Sequence, residues 1–213
     1  MIRDLRTRIR AAFAIGAALL ALSCAPGPRI SMEARMSAPG KYAGYSPAEY
    51  DGYERTSFYV PVRDGTKLAV DLFRPTKGGK LAGGKFPIVW MHTSYNRRTY
   101  ANGPAVENYP GFALRLVPHG YAVAVVDFRG LYASYGKNAA YNRGEWLDAA
   151  KFDAYDISEW FAKQGWSNGK VGMWGCSATG GSQMQAATTA PPSLKAIFPM
   201  SCEFDVYPFG VAG

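Results

Sequence analysis

The sequence predicts an α/β fold in which an antiparallel hairpin precedes a mostly parallel sheet with helices on both faces. Two runs, 86–91 and 121–126, support this because each is apolar throughout, as parallel strands are when both of their faces are buried. Segments with apolar residues at helical spacing lie between the predicted strands. The chain has 213 residues, of which 48% are hydrophobic, and this is enough for a packed core.

The N-terminus has the pattern of an export signal over residues 1–25. A basic stretch, 3–10, precedes an apolar stretch, 11–22, and small residues follow, as in secretory signals. Cleavage after Ala25 and lipoprotein-type cleavage before Cys24 both fit, and the second would place a lipid on that thiol. The alternative is a helical or disordered N-terminal arm.

Residues 26–54 are rich in Pro, Gly, Ala, Ser and Tyr without periodicity, which predicts a linker. The α/β domain is then expected over residues 55–213. With an export signal, the protein would be periplasmic or extracellular. A lipid on Cys24 would be its only attachment to a membrane.

The domain is expected to begin with a β-hairpin. Apolar residues alternate over 58–62 and again over 67–73, as in half-buried strands. Between these strands, Asp64 and Gly65 are predicted to supply the two positive φ angles of a tight turn.

Helices and strands alternate in the rest of the domain. The pattern predicts a short helix over 112–118, strands over 170–174 and 194–199, and a helix over 178–189. Between residues 149 and 163, one face of an amphipathic helix carries the apolar residues Ala150, Ala154, Ile157 and Phe161.

Ser177 is the candidate nucleophile. It follows the apolar strand 170–174, with Gly175 two residues before it and Gly180 three residues after it. A sharp turn from strand to helix lifts a serine above the sheet and aims the first helical N–H groups at a developing oxyanion. Such a turn is crowded, which would favour glycine.

The glycine pattern around Ser177 is imperfect, because Thr179 stands where the general motif has its second glycine. The alternative is therefore an ordinary glycine-rich turn. A phosphate-binding loop is not supported, since the required Gly-Lys-Ser/Thr ending is absent.

Tyr95 is the second candidate. It follows the buried strand 86–91, and ligands of parallel sheets sit at the carboxyl ends of the strands. Its hydroxyl could therefore join the N–H of Ala178 in binding an oxyanion. The alternative is an ordinary loop aromatic, in a chain with 14 tyrosines.

Four groups of residues carry a further signal: 59–68 with Arg74 and Pro75, 127–130 with Ser134 and Gly136, 155–156 with 159–160, and 166–173. Together these segments resemble the group of Xaa-Pro dipeptidyl-peptidases, cocaine esterases and α-amino-acid ester hydrolases. The resemblance extends over residues 45 to 213.

The resemblance implies an α/β-hydrolase domain with Ser177 as nucleophile and an oxyanion hole made by the Tyr95 hydroxyl and the Ala178 N–H. It also explains why position 179 need not be glycine, since the family has its glycine at Gly180. Ala178 replaces a usual tyrosine and Tyr132 a usual glycine. These two changes affect the expected substrate preference more than the nucleophile.

The triad acid and base are missing from the sequence. Hydrolases of this fold present Ser, Asp or Glu, and His in that order, but no histidine follows Ser177. His92 and His119 precede it and are expected to be structural. Glu203 and Asp205 follow too closely to supply the triad acid, and Asp205 is interpreted as a strand-end or pocket residue.

We therefore expect the chain to be the N-terminal part of a longer enzyme, with little or no triad-dependent turnover by itself. The predicted function is that of a serine hydrolase that cleaves a carboxylic ester, an amide or a short peptide through an acyl-enzyme. The alternative is a catalytically inactive hydrolase-like binding or remnant protein.

Charge and cysteine content exclude other classes. The net charge of +8 falls to +5 without residues 1–10, which hold four arginines and one aspartate, and no basic stripe suggests nucleic-acid binding. No metal site or cofactor is expected, because two histidines and scattered carboxylates lack ligand spacing. Cys176 and Cys202 are expected to be buried free thiols rather than a disulfide.

Overall fold

The computed structural model describes residues 46–99, 106–107, 110–138 and 149–202. The helices are α1 (Pro110–Ala113), α2 (Asp153–Ala162) and α3 (Ala178–Thr188), with 3₁₀ segments at Leu114–His119 and Ala150–Phe152. The strands are β1 (Gly52–Pro61), β2 (Lys67–Lys77), β3 (Lys80–Leu81), β4 (Phe86–Thr93), β5 (Arg98–Thr99), β6 (Val106–Glu107), β7 (Ala122–Asp127), β8 (Ser167–Cys176) and β9 (Leu194–Met200).

One mixed sheet organises the fold, with its strands in the order β1-β2-β7-β4-β8-β9. The β1–β2 and β2–β7 pairs are antiparallel, whereas β7, β4, β8 and β9 run parallel to one another. β3 pairs with the end of β2, and β5 pairs with β6. The predicted hairpin followed by a mostly parallel sheet is therefore confirmed.

The core lies on both faces of this sheet. On one face Ile157 and Phe161 of α2 pack with Trp90 of β4. On the other face Val117 of the first 3₁₀ segment packs with Met91 of the same strand. Because β4 contributes side chains to both clusters, it is buried on both sides, as its continuous apolarity predicts.

The predicted amphipathic helix over 149–163 is present as a 3₁₀ turn that leads into α2. All four residues of its predicted apolar face are buried. The indole N–H of Trp90, in β4, donates a hydrogen bond to Ser158 Oγ of α2 at 3.2 Å. The indole and the hydroxyl are therefore hydrogen-bonded although both are buried between the sheet and the helix.

The β1–β2 turn differs from the prediction. Gly65 has φ 81°, but Asp64 is not among the residues with positive φ. The Gly65 N–H donates to the Val62 carbonyl, and the Val62 N–H donates to the Thr66 carbonyl. The loop is thus longer than a two-residue hairpin turn, and such loops need a left-handed residue only at their last position.

Three elements also begin at other residues than expected. β1 starts at Gly52, within the segment predicted as linker, because its first residues pair with the far end of β2. β8 starts at Ser167 because that residue already pairs with Phe86. The short helix predicted over 112–118 begins at Pro110 as a turn of α-helix. A 3₁₀ segment follows and ends at His119, and the next residue, Gly120, has φ 81°.

Among the described helices, none is long and apolar enough to cross a membrane.

Candidate active site

Ser177 occupies the turn between β8 and α3. Its backbone has φ 58° and ψ −125°, and its side chain is exposed. A residue with a side chain in this conformation costs on the order of 1–3 kcal/mol and persists only where its surroundings fix it. The predicted sharp turn from strand to helix is therefore present, and it presents the serine to solvent.

Two glycines make this turn possible. A Cβ at Gly175 would lie 2.4 Å from Thr179 Oγ1, and one at Gly180 would lie 2.7 Å from the Met200 carbonyl oxygen. Both distances are too short for any side chain. At Gly181, by contrast, an added Cβ would have no atom of the described residues within 4 Å, so crowding explains the glycine at 180 and not the one at 181.

Thr179 stabilises the turn in place of a second glycine. Its hydroxyl accepts a hydrogen bond from the Cys176 N–H and donates one to the Cys176 carbonyl, both at 2.7 Å. The side chain is 2% exposed and fills the space beside Gly175. Thr179, which departs from the general sequence motif, therefore stabilises the turn through its two hydrogen bonds to Cys176.

Gln183 fastens the same turn from the next helical turn. It is fully buried, and its Nε2 donates to the carbonyls of Gly175, Thr179 and Phe198. Its Oε1 accepts the Phe198 N–H at 2.9 Å. The local pattern of the sequence predicts neither role. The spacing of Thr179 and Gln183, i and i+4, places them on one face of α3 but does not show which backbone groups they bond.

Tyr95 lies next to the serine. Its hydroxyl oxygen is 3.3 Å from Ser177 Oγ, and the ring is 38% exposed. The loop that carries Tyr95 follows β4, and Ser177 follows β8, which pairs with β4 in parallel. The two predicted residues therefore meet at the carboxyl edge of the sheet, as the rule for parallel sheets predicts.

The third predicted site residue, Ala178, is the first residue of α3. The first N–H groups of a helix have no intrahelical acceptor and carry the positive end of its dipole. The Ala178 N–H is thus available to an anion beside Ser177. The hydroxyl of Tyr95 and this N–H together could bind one negatively charged oxygen.

Two buried carboxylates lie under the Tyr95 loop, and sequence analysis missed them. Asp71 of β2 is 1% exposed and Asp127 of β7 is fully buried. Asp127 Oδ2 lies 2.5 Å from Arg97 Nη1, and Asp71 Oδ2 lies 2.8 Å from Arg98 Nε. Arg97 lies in the loop that carries Tyr95, and Arg98 is the first residue of β5, which directly follows that loop.

The pKa values of these two carboxyls move in opposite directions. Burial alone would raise the pKa of Asp71, but hydrogen bonds from Arg98 and Ser57 and the charge of Arg97 outweigh it and hold that pKa below its usual value. Burial raises the pKa of Asp127 because lost hydration exceeds the attraction of Arg97.

A second charge cluster, in which Arg129 and Asp153 are buried and Asp64 is exposed, joins the β1–β2 turn to α2. The Arg129 guanidinium pairs with Asp153 and with Asp64, and it also donates to Thr66 Oγ1. Hydrogen bonds from Arg129 lower the pKa of Asp64 to about 2. The cluster fixes the loop that follows β7, at the edge of the sheet where Ser177 lies.

Neither histidine is placed to act as a general base. His92 is 3% exposed, and burial, helped by the charge of Arg129, lowers its pKa to about 3. It packs against Phe128, with ring centroids 4.3 Å apart. His119 precedes β7, at the opposite edge of the sheet from Ser177, and its Nδ1 lies 2.6 Å from the Ser46 carbonyl oxygen.

The cysteines differ from the prediction in one respect. Cys176 and Cys202 are free thiols, but Cys176 is exposed and Cys202 is half-buried, so the expectation of two buried thiols is wrong. Cys176 is exposed because it ends β8 at the turn, where the side chain leaves the sheet. Cys24, Glu203 and Asp205 lie outside the described residues.

Among the residues that the structure describes, no group of His, Cys, Asp and Glu side chains could hold a metal ion.

The fold and this arrangement together define a class of protein. A mixed sheet with helices on both faces, and a serine in a strained turn between a strand and a helix, are the features of the α/β-hydrolases.

Comparison with known proteins identifies the family. The model of the X-Pro dipeptidyl-peptidase (S15) family matches residues 64–210, more than half of the chain. Cocaine esterase from Rhodococcus sp. (strain MB1 Bresler) is 38% identical over 149 residues, which cover 70% of this chain and 23% of that protein. The chain belongs to the X-Pro dipeptidyl-peptidase (S15) family, and the resemblance found in the sequence is confirmed.

Solved structures agree with this assignment. A CocE/NonD family hydrolase from Staphylococcus aureus has a TM-score of 0.55 at 31% identity, with 73% of this chain and 28% of that chain covered. An α-amino acid ester hydrolase has a TM-score of 0.57 at 29% identity, with 85% and 29% covered. The chain thus spans about a quarter of the length of the relatives that it matches.

Proposed function

We propose that the protein is a serine hydrolase that cleaves carboxylic esters or amides through an acyl-enzyme on Ser177. The observation that carries the proposal is the placement of an exposed serine, held at φ 58°, within 3.3 Å of the Tyr95 hydroxyl. Strain of this kind is typical of functional residues. The names of the relatives, an esterase, a peptidase and an amino-acid ester hydrolase, support the same reaction class.

In the proposed reaction Ser177 Oγ attacks the substrate carbonyl carbon while a general base takes the hydroxyl proton. The carbonyl oxygen becomes an oxyanion, to which the Tyr95 hydroxyl and the Ala178 N–H donate hydrogen bonds. Collapse of the intermediate expels the alcohol or amine, which takes the proton back. Water then hydrolyses the ester on Ser177 by the same two steps.

The base of this mechanism is not His92, whose pKa of about 3 keeps it neutral and weakly basic, nor His119 at the opposite edge of the sheet. Since the chain spans about a quarter of its relatives' length, we propose that the base and the triad acid lie in a part of the protein beyond these 213 residues. The acyl pocket would be completed there as well. Peptide, amino-acid ester and other ester substrates all fit the proposal.

A fluorophosphonate probe tests the proposal, applied to the protein expressed from its complete coding sequence. We expect the probe to label the wild-type protein on the peptide that contains Ser177 and to fail with Ser177→Ala. Cys176→Ser is the matched control, because Cys176 is the exposed nucleophile next to the serine, and this variant should keep the label. A folded wild-type protein that takes no label, and hydrolyses no p-nitrophenyl ester, would instead be a catalytically silent member of the family.

We also propose that the protein is exported. The support is the basic stretch followed by an apolar stretch within residues 1–25. Cell fractionation, with Cys24→Ala as the second variant, separates the two cleavage sites. A lipid on Cys24 would put the wild type in the membrane fraction and the variant elsewhere, whereas cleavage after Ala25 would leave both soluble outside the cytoplasm. Retention of both in the cytoplasm would contradict export.

A further inference from the structure

The loop that carries Tyr95 is held by the charges that neutralise Asp71 and Asp127. An ionised carboxylate is unfavourable in a protein core unless it is paired and hydrogen-bonded. Arg97 lies in this loop and Arg98 begins β5 directly after it, so both cationic partners lie within three residues of Tyr95. The two buried carboxylates therefore have cationic partners when this segment of the chain lies over β2 and β7.

Asp127 makes the contacts nearest to Tyr95. Its Oδ1 accepts the Arg97 backbone N–H at 2.8 Å, and its Oδ2 accepts Arg97 Nη1 at 2.5 Å. The same carboxylate thus fixes both the main chain and the side chain of Arg97. Two charge-assisted contacts from one buried acceptor leave little freedom at this position.

Asp71 adds a second attachment. Arg98 donates to it from Nε at 2.8 Å and from Nη2 at 3.0 Å, which is a bidentate pair. Arg97 Nε also lies 3.1 Å from Asp71 Oδ1. Ser57 Oγ donates to Asp71 as well, at 2.7 Å. The loop is therefore tied to two neighbouring strands.

These attachments lie within a few residues of Tyr95 in the chain and therefore restrict its backbone. The Tyr95 N–H donates to Thr93 Oγ1 at 2.9 Å, so the residue is fixed on its N-terminal side by the end of β4. Only Asn96, with φ 71°, separates it from Arg97 on the other side. The backbone of Tyr95 is thus confined between β4 and the Arg97–Asp127 pair.

We propose that Arg97 and Asp127 are positioning residues that hold the Tyr95 hydroxyl where it can donate to the oxyanion, with Arg98 and Asp71 as their support. This inference rests on the proposed function. Displacement of a catalytic group by about 1 Å can lower a rate by as much as about 100-fold. Loss of the Arg97–Asp127 pair should therefore reduce turnover by releasing Tyr95.

A double-mutant cycle separates this role from a purely structural one. The variants are Arg97→Met, Tyr95→Phe and their combination, made in the protein expressed from its complete coding sequence. We expect Arg97→Met to lower kcat by about tenfold with KM changed less than about twofold. In the Tyr95→Phe background, which has no hydroxyl to position, the same change should lower kcat by less than about twofold.

Three further variants complete the experiment. Arg97→Lys keeps the charge beside Asp127 and should recover part of the lost kcat. Arg63→Ala is the control, because Arg63 also pairs with a carboxylate, Asp156 at 2.8 Å, but holds a different loop, so its kcat should stay unchanged. If Arg97→Met does not fold, Arg97→Met combined with Asp127→Asn replaces it in the cycle, since that pair leaves no unpaired buried charge.

The outcomes distinguish this inference from the proposed function. Equal losses of kcat from Arg97→Met in the wild-type and Tyr95→Phe backgrounds, with activity still abolished by Ser177→Ala, would overturn the positioning role alone. Activity that survives Ser177→Ala would instead overturn the proposed function. A loss confined to the wild-type background, with partial recovery in Arg97→Lys, is the result that supports the inference.

Discussion

The hydroxyl oxygen of Tyr95 lies 3.3 Å from Ser177 Oγ, although the two residues are 82 positions apart in the chain. They meet because β4 and β8 are parallel neighbours whose carboxyl ends share one edge of the sheet. A phenol at this distance can donate to an oxygen that becomes negatively charged beside the serine.

Tyr95→Phe should therefore lower kcat of the complete protein by about 10²- to 10³-fold, the usual cost of removing one oxyanion donor. KM should change little, because the hydrogen bond is stronger to the transition state than to the bound ester. Steady-state hydrolysis of p-nitrophenyl esters measures both constants. Tyr135→Phe is the control, since that exposed tyrosine packs against Tyr59. A kcat that Tyr95→Phe leaves intact would remove Tyr95 from the oxyanion hole.

Replacing the strained serine should make the protein more stable. Ser177→Gly relieves a backbone conformation that costs on the order of 1–3 kcal/mol. The greater conformational freedom of glycine in the unfolded state opposes this gain by about 0.5–1 kcal/mol. We expect the free energy of unfolding to rise by about 1 kcal/mol, as measured by urea denaturation. Ala178→Gly, one residue along in α3, has no strain to relieve and should be destabilising. Destabilisation by both changes would mean that the turn is not strained.

The turn and the position of Ser177 in it could be predicted because their determinants are local. An apolar strand, Gly175 and Ser177 lie within a few residues of one another, and the geometry follows from their order. The position of Tyr95 followed from a general rule on strand ends. The role of Thr179 could not be predicted, because it consists of two hydrogen bonds to the Cys176 backbone, which the spacing of the motif does not show.

The Arg97–Asp127 and Arg98–Asp71 pairs could not be predicted because they are contacts between distant segments. Each carboxylate lies in an apolar strand, and its partner lies on a loop 27 to 30 residues away. Nothing in the local pattern says which of 24 basic residues will neutralise it. The exposure of Cys176 could not be predicted for a different reason: thiols are usually buried, but this one ends a strand at the turn.

The two glycines at the start of α3 should respond in opposite directions to alanine. Gly180→Ala would place a Cβ 2.7 Å from the Met200 carbonyl oxygen and 2.9 Å from Cys202 Cβ, so we expect a loss of about 1–2 kcal/mol from overpacking. Gly181→Ala meets no described atom within 4 Å and should gain about 1 kcal/mol in helix propensity. Chemical denaturation of both variants tests this. Equal effects of the two changes would show that β9 does not pack against Gly180 in this way.

The buried imidazole of His92 should make stability depend on pH. Burial lowers its pKa from 6.5 to about 3. Between these two pH values His92 binds a proton in the unfolded chain but not in the folded protein. The stabilisation is complete above pH 6.5 and decreases as the pH falls towards 3, by up to about 1.4 kcal/mol per pH unit. His92→Leu should remove this dependence.

The prediction on His92 is checked by urea denaturation of the wild type and of His92→Leu at pH 7 and at pH 4.5. Carboxylates contribute to the slope of both proteins, so the difference between the two slopes isolates the histidine. His119→Asn leaves His92 as the one histidine of the sequence, and its imidazole NMR signals should then stay those of the neutral form down to pH 4.5. An imidazole that titrates near pH 6.5, or equal slopes in the two proteins, would mean that water reaches His92. In that case His92 would become a candidate for the base that Ser177 needs.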